Sequence, residues 1–130
     1  MKTISAIVAT ACMGLTYNSA FVHAEDMAKV APHNTKVLFE NDRVRVLETR
    51  TKPGEKLAMH SHPPRVNYFL NPLQERITYA GKPAKDYSWK AGEVAFSEAV
   101  KLEVVNIGTT EGHNIVIELK GDGAGAEPLD

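Results

Sequence analysis

The chain has one cysteine in 130 residues, Cys12, so no disulfide forms within it. It lacks a Cys-x-x-Cys pair, a glycine-rich phosphate loop and a Ser-His-Asp constellation. Thiol redox chemistry and serine hydrolysis therefore have no support. Lysine and arginine form no cluster, and the net charge is −1. This balance argues against nucleic acid and anionic lipid as partners.

The sequence also lacks an apolar run of the ~20 residues that span a bilayer. Lys2 instead precedes a short apolar stretch, 4–15, and Val22-His23-Ala24 ends in the small residue that signal peptidase requires. We interpret residues 1–24 as a signal peptide cleaved after Ala24, which predicts a periplasmic or secreted protein. A lipoprotein processed at Cys12 is a weaker alternative, because the segment before it is very short.

Removal of residues 1–24 leaves 106 residues with 14 Lys+Arg and 16 Asp+Glu, a net charge of −2. A chain of this size forms one small domain with a sufficient core. Residues 25–35 are polar and broken by Pro32, so we expect a lead-in arm there, followed by the domain over 36–120. The glycine-rich end, 121–130, is expected to be disordered.

No segment has a sustained helical period and no internal repeat is present, whereas short extended runs alternate with turn residues. This pattern predicts an all-β sandwich or barrel. The nine expected strands are 36–39, 43–51, 56–62, 66–70, 76–79, 87–90, 93–97, 102–106 and 114–120.

A His-x-His pair, His60 and His62, follows a Pro53-Gly54 turn. Successive side chains on a strand alternate between its faces, so both imidazoles project from the same face and are able to contact one metal ion. Two imidazoles alone bind a divalent metal weakly, since mononuclear sites usually have three or four protein donors.

These residues belong to a series of sequence blocks that resembles the small single-domain cupins, in particular a branch that includes proteins of β-alanine degradation. The blocks are 43–48, 53–54, 60–64, 90–94, 106–108 and 116–120. The resemblance implies a double-stranded β-helix, which is a jelly-roll barrel with a ligand pocket in its mouth.

In the family, the metal is held by three histidines and a glutamate. His60 and His62 match two of the histidines, whereas the glutamate position falls near Arg65, Val66 or Asn67, and the third histidine position is Leu102. The resemblance therefore implies a degenerate site, and we expect a weakly bound divalent metal (Zn, Ni, Fe or Cu) at most. An inward-pointing Arg65 opposes a cation.

Substitute ligands remain open: Asn67 offers an amide oxygen and His113 lies on the turn into the last strand. Copper bound with Met59 is disfavoured, because Met59 and His60 are adjacent on a strand and face opposite sides. A pair of histidines that line the barrel mouth without metal is equally open.

We place the ligand site at Arg65, Asn67 and Tyr68 beside the two histidines, since a guanidinium suits a small anionic ligand such as a carboxylate. The hypothesis is an exported, non-catalytic small-molecule binding module, and a homodimer is left open. The alternative is a metal-dependent cupin enzyme of the oxygenase or isomerase kind with an unusual third ligand. We expect core packing for most aromatic residues, namely Tyr68, Phe69, Tyr79, Tyr87 and Trp89.

Overall fold

A computed structural model describes residues 26–121 of the chain. Nine β-strands follow one short helix, and the expected nine strands and all-β class are confirmed. The elements are α1 (Met27–Val30), β1 (Thr35–Glu40), β2 (Val44–Thr51), β3 (Lys56–His62), β4 (Arg65–Phe69), β5 (Leu73–Tyr79), β6 (Lys85–Trp89), β7 (Val94–Ser97), β8 (Val100–Asn106) and β9 (Gly112–Leu119).

The strands form two antiparallel sheets that face each other as a jelly roll. One sheet has the order β1-β2-β9-β4-β7 and the other has the order β3-β8-β5-β6. Strand β9 lies at the centre of the larger sheet, where it pairs with β2 along its full length and with β4. Because side chains alternate along every strand, each sheet turns one set of residues toward the other sheet.

Strand β3 contains a register shift against β8, between Leu57 and His60. A bulge changes which residues of a strand face inward. Here the shift allows Leu57, His60 and His62 all to be buried, although Leu57 and His60 are three residues apart. The predicted Pro53-Gly54 turn precedes this strand, and Gly54 has a φ of 79°, which glycine adopts without strain.

The segment before β1 differs from the irregular arm expected for residues 25–35. It contains α1, which Asp26 caps through a 2.9 Å hydrogen bond from the Ala28 amide. Met27 and Ala31 are buried and cluster with Leu57 of β3. Since apolar side chains of the arm enter the core, this segment is part of the domain.

The predicted signal peptide (1–24) and C-terminal tail (121–130) lie outside the described residues, apart from Gly121. Within residues 26–121, no helix has the length and hydropathy needed to cross a membrane.

Candidate functional site

A cavity of about 230 Å³ lies between the two sheets, and its wall combines apolar, aromatic and polar side chains. Both sheets contribute, because seven strands turn polar side chains toward the cavity. The polar lining residues are Thr49, Thr51, His60, His62, Arg65, Asn67, Glu75, Tyr79, Tyr87, Trp89, Ser97 and Asn114.

The two histidines of the His-x-His pair lie side by side in this wall. Their rings have centroids 4.9 Å apart and are nearly perpendicular, at 80°. His60 Nδ1 is 2.7 Å from the Ala58 carbonyl oxygen, and His62 Nδ1 is 2.6 Å from Glu118 Oε1. Both oxygens accept, so each Nδ1 donates and each Nε2 keeps its electron pair. The predicted common orientation of the two imidazoles is therefore present.

Glu118 connects His62 to a chain of charged groups at one end of the barrel. Its Oε2 atom accepts a 2.7 Å hydrogen bond from Arg45 Nε, and Arg45 also forms an ion pair with Asp26. Burial alone would raise the pKa of Asp26, but the hydrogen bond and charge of Arg45 hold this pKa below its ordinary value. Glu118 thus fixes the tautomer and orientation of His62, and it shares the guanidinium of Arg45 with Asp26.

Burial favours the neutral form of both imidazoles. It lowers the pKa of His62 from 6.5 to about 4, against the raising effect of Glu118. It also lowers the pKa of His60, and the positive charge of Arg65 acts in the same direction. At neutral pH the cavity therefore presents two hydrogen-bond acceptors from these rings.

Arg65 is the least satisfied residue of the cavity. Only 6% of it is exposed, and its Nε and Nη1 atoms are buried without a hydrogen-bond partner among residues 26–121. Burial lowers the pKa of its guanidinium, while Tyr79, Glu118 and Glu75 raise it through space. No carboxylate in the described part forms an ion pair with it. A buried cation in this state is costly unless it has a partner.

Two asparagines of the larger sheet repeat this pattern. Asn67 on β4 and Asn114 on β9 line the cavity, and the Oδ1 atom of each is buried without a partner in the described chain. Buried polar side-chain atoms are nearly always hydrogen-bonded in folded proteins. The unpaired atoms of Arg65, Asn67 and Asn114 therefore mark the cavity as a binding site for a polar molecule.

The smaller sheet supplies a carboxyl group and an aromatic wall. Trp89 Nε1 donates a 2.8 Å hydrogen bond to Glu75 Oε1, and burial raises the pKa of Glu75. Trp89 stacks on Phe69 with a centroid distance of 4.5 Å and is parallel to Tyr87. The expectation of core packing holds for Phe69, whereas Tyr79, Tyr87 and Trp89 line the cavity, because β5 and β6 turn them inward.

The residues present do not fit a tightly held metal. Two imidazole donors are in place, but the described residues contain no group of three or more His, Cys, Asp or Glu side chains arranged to hold an ion. Leu102 is paired with His60 across β3 and β8 and lines the same wall, where the resemblance implied a third histidine. The cation of Arg65 nearby opposes metal binding further.

The structure corrects two of the predicted positions. Tyr68 is 39% exposed and lies outside the cavity, because it alternates with Asn67 on β4 and faces away from the barrel. His113 also lies outside the cavity: its Nε2 atom is 2.7 Å from Glu48 Oε1 on the outer surface, and its neighbour Asn114 faces inward. Of the substitute ligands, only Asn67 lies in the cavity.

Sequence reasoning missed Glu75 and Glu118. Both are buried, and strand alternation was the available signal, since Glu118 is in phase with the buried Val116 and Glu75 is in phase with the buried Leu73 and Ile77. The usual place of a glutamate on a strand is the surface, so the sequence did not single out either residue. Their partners, Trp89 and His62, lie 14 and 56 residues away in sequence.

A second cavity, of about 570 Å³, lies on the other side of the His62–Glu118 pair. It is lined by the charged chain of Asp26, Arg45 and Glu118, and by the Pro63-Pro64 turn. Its charged groups are already paired with one another, as are Lys120 and Glu40 at its rim. The unpaired groups point instead to the cavity between the sheets.

No protein-family model and no curated protein matches this sequence. Solved structures do resemble the fold. A cupin domain from Bordetella pertussis is 25% identical and has a TM-score of 0.63, over 67% of this chain and 92% of that one.

More distant likenesses show the same fold. An RmlC-like cupin family protein with a double-stranded β-helix, from Methanocaldococcus jannaschii, is 14% identical, with a TM-score of 0.55 over 66% of this chain and 78% of that one. An uncharacterised conserved protein with a double-stranded β-helix domain, from Klebsiella pneumoniae, is 18% identical, with a TM-score of 0.56 over 68% and 76%.

Proposed function

We propose that this small cupin-domain protein, a double-stranded β-helix with a polar cavity, binds a small anionic molecule between its two sheets and is not a catalyst. One observation carries the proposal: Arg65 is buried in the cavity wall with Nε and Nη1 lacking a hydrogen-bond partner in the described chain. A carboxylate accepts hydrogen bonds from a guanidinium and neutralises its charge.

The size and the polarity of the cavity support a small ligand. Its volume of about 230 Å³ is below the ~300–1,000 Å³ of most drug-sized sites. The stacked aromatic wall of Tyr87 and Trp89 offers apolar contact to a short carbon chain, opposite the polar residues of the larger sheet. A ligand of a few carbon atoms with one carboxylate matches both properties.

Metal binding, on this proposal, is weak and secondary. The two Nε2 atoms of His60 and His62 are the donors for Zn, Ni, Fe or Cu, and neither a third imidazole nor a carboxylate assists them in residues 26–121. The enzyme alternative needs a third ligand, for which Asn67 is the candidate within the cavity. Stoichiometric iron that survives dialysis against a chelator would favour that alternative.

Export and dimerisation are also part of the proposal. Cleavage after Ala24 would leave Asp26 and Met27, which the structure uses, in the mature chain. Exposed apolar side chains of β4 and β7 lie together on the outer face of the larger sheet, which suits pairing with a second copy.

Calorimetric titration of the apo protein with small carboxylates and their uncharged amides tests the binding function. The probes are acetate, glycolate, lactate and succinate, with acetamide and lactamide as the uncharged counterparts. We expect at least one carboxylate to bind and its amide not to bind. Arg65→Gln should weaken that carboxylate by at least about tenfold, because hydrogen bonds to a charged group contribute about 1.5–3 kcal/mol.

The matched control is Arg76→Gln, which removes a guanidinium of β5 that is paired with Asp86 on the exterior. It should leave binding unchanged. We also expect Arg65→Gln to be as stable as the wild type or more stable, since it removes a buried charge without a partner. Equal binding by Arg65→Gln and the wild type, or no binding of any carboxylate, would overturn the proposal.

A further inference from the structure

The cavity contains more unpaired acceptors than a simple carboxylate is able to use. This inference rests on the proposed function and concerns the class of the ligand. The Nε2 atoms of His60 and His62 have free electron pairs, because both Nδ1 atoms donate to oxygens. A carboxylate held by Arg65 has no hydrogen to offer these nitrogens.

Asn67 and Asn114 add two more acceptors on the larger sheet. The β4–β9 register pairs Asn67 with Val116 and Phe69 with Asn114, so the two asparagines are diagonal neighbours on one face. Their Oδ1 atoms are buried and have no donor among residues 26–121. Arg65 lies two residues before Asn67 on the same face of β4, so the acceptors adjoin the guanidinium that would hold the carboxylate.

The charges of the cavity indicate that the donor on the ligand is uncharged. Arg65 supplies one positive charge, and the carboxylate of Glu118 is engaged by hydrogen bonds from Arg45 and His62. Glu75 already accepts a hydrogen bond from Trp89, and burial raises its pKa. A second positive charge on the ligand, such as an ammonium, would have no carboxylate prepared for it beside Arg65.

We propose that the ligand is a small hydroxy-carboxylate, whose carboxylate accepts from the guanidinium of Arg65 and whose hydroxyl donates to the neighbouring acceptors of Asn67, Asn114 or the two imidazoles. The hydroxyl satisfies an acceptor that a plain carboxylate would leave buried and unpaired. Leaving such a group unpaired costs about 1–3 kcal/mol, which is a factor of about 5–150 in affinity.

Two matched series of probes test this class. The two-carbon series is acetate, glycolate and glycine, and the three-carbon series is propionate, lactate and alanine. Every probe has one carboxylate. Within each series the first has no hydrogen-bond donor, the second has a hydroxyl and the third has an ammonium. Calorimetric titration of the apo protein should show glycolate and lactate binding at least about fivefold more tightly than the other members of their series.

Asn67→Leu should reduce the advantage of lactate over propionate, while Asn34→Leu, which alters an asparagine at the surface, should keep it. The comparison of ligands on the wild type does not depend on the folding of either variant. Equal affinity for lactate and propionate, with both lost in Arg65→Gln, would overturn the hydroxyl inference and retain anion binding. Tighter binding of alanine would overturn it in favour of a zwitterion. Absence of binding by every carboxylate would overturn both proposals.

Discussion

At the scale of single residues, some buried charged groups of the site have hydrogen-bond partners and others do not. Glu118 is 1% exposed, but it accepts hydrogen bonds from His62 and Arg45. Arg65 is buried to a similar degree without any such partner in the described chain. The first arrangement stabilises the fold, whereas the second lowers stability until a ligand binds, which is typical of binding sites.

The pH dependence of stability follows from His62. Its folded-state pKa of about 4 lies below the unfolded value near 6.5, so between these values the unfolded chain binds more protons than the folded protein. Stability is therefore highest above pH ~6.5 and falls as the pH decreases toward 4. The contribution of His62 to this loss is on the order of 3 kcal/mol. Urea titrations at pH 7 and 4.5, with chelator present, measure it.

His62→Gln should flatten this dependence, because glutamine does not titrate and still donates to Glu118. His33→Gln, at an exposed position, should behave as the wild type. A steep loss of stability that persists unchanged in His62→Gln would contradict the assignment of this effect to His62.

The sequence predicted the cavity residues where strand phase alone decides. His60 and His62 share one face of β3, and Arg65 and Asn67 share one face of β4, because residues two apart on a strand point the same way. The predicted bounds of these strands agree with β3 and β4 within one residue. Tyr68 was predicted in the ligand site but lies outside the cavity, because neighbouring residues of a strand face opposite sides and Asn67 faces inward. The roles of the buried glutamates depend on partners far away in sequence, which strand patterns do not identify.

At the scale of elements, the bulge in β3 determines the orientation of the His-x-His pair. Regular alternation from the buried Leu57 would place His60 on the outer face. The register shift between these residues turns His60 inward, and the Ala58 carbonyl within the shift accepts its Nδ1 hydrogen. Turn residues predicted the strands well, but neither the bulge nor the small helix α1 has a distinct local signal.

Cross-strand pairing between β3 and β8 predicts where a third metal ligand should act. Leu102 is directly opposite His60 and is buried in the cavity wall. Side chains in such pairs have Cβ atoms ~5 Å apart, so Leu102→His would place a third imidazole beside the other two. We expect the wild type to bind Ni(II) weakly and the variant to bind it at least about tenfold more tightly, as measured by calorimetry.

Glu103→His is the control, because it adds an imidazole to the same strand at a position that is paired with Lys56 outside the cavity. It should leave Ni(II) affinity unchanged, and His60→Ala with His62→Ala should abolish binding. If folded Leu102→His binds Ni(II) no better than the wild type, then the two imidazoles and position 102 do not share one site.

At the scale of the whole molecule, the arm before β1 is joined to the barrel by charge and by packing. Asp26 forms an ion pair with Arg45, and Met27 packs against Leu57. The two-sheet barrel was predictable because nine short strands with turns between them permit few alternatives. The contribution of the arm to the core was not predictable, since its two buried apolar residues are surrounded by polar residues in the sequence.

Processing should preserve this arm. We expect the exported protein to begin at Glu25, because Val22-His23-Ala24 is the best cleavage triplet of the sequence. Intact-mass measurement of exported protein gives the N-terminus directly, and Ala24→Arg should block cleavage. Retention of Met1 in exported wild-type protein, or a lipid adduct on Cys12, would contradict the signal-peptide interpretation.

The outer face of the larger sheet predicts a homodimer. Val94 and Phe96 of β7 are 63% and 59% exposed and are paired with Tyr68 and Val66 of β4. These uncharged side chains form one patch. A two-fold axis places the patch against the same patch of a second copy, and apolar surfaces pack together without needing complementary charges. Light scattering after gel filtration should show a dimer.

Val94→Lys with Phe96→Lys should give a monomer, because burying two ammonium groups in the interface is costly. Ile107→Lys, which places one lysine at an exposed apolar residue outside this patch, should remain dimeric. A monomeric wild type at all concentrations, or a double variant that stays dimeric, would contradict the interface.

A crystal structure of the protein grown with lactate tests the central claim most directly. The account predicts a carboxylate in the cavity between the sheets, with an oxygen within ~3 Å of Arg65 Nε or Nη1. It also predicts a hydroxyl within hydrogen-bond distance of an asparagine or imidazole acceptor. A cavity that contains only water, with Arg65 turned to form an ion pair with Glu75 or Glu118, would contradict it.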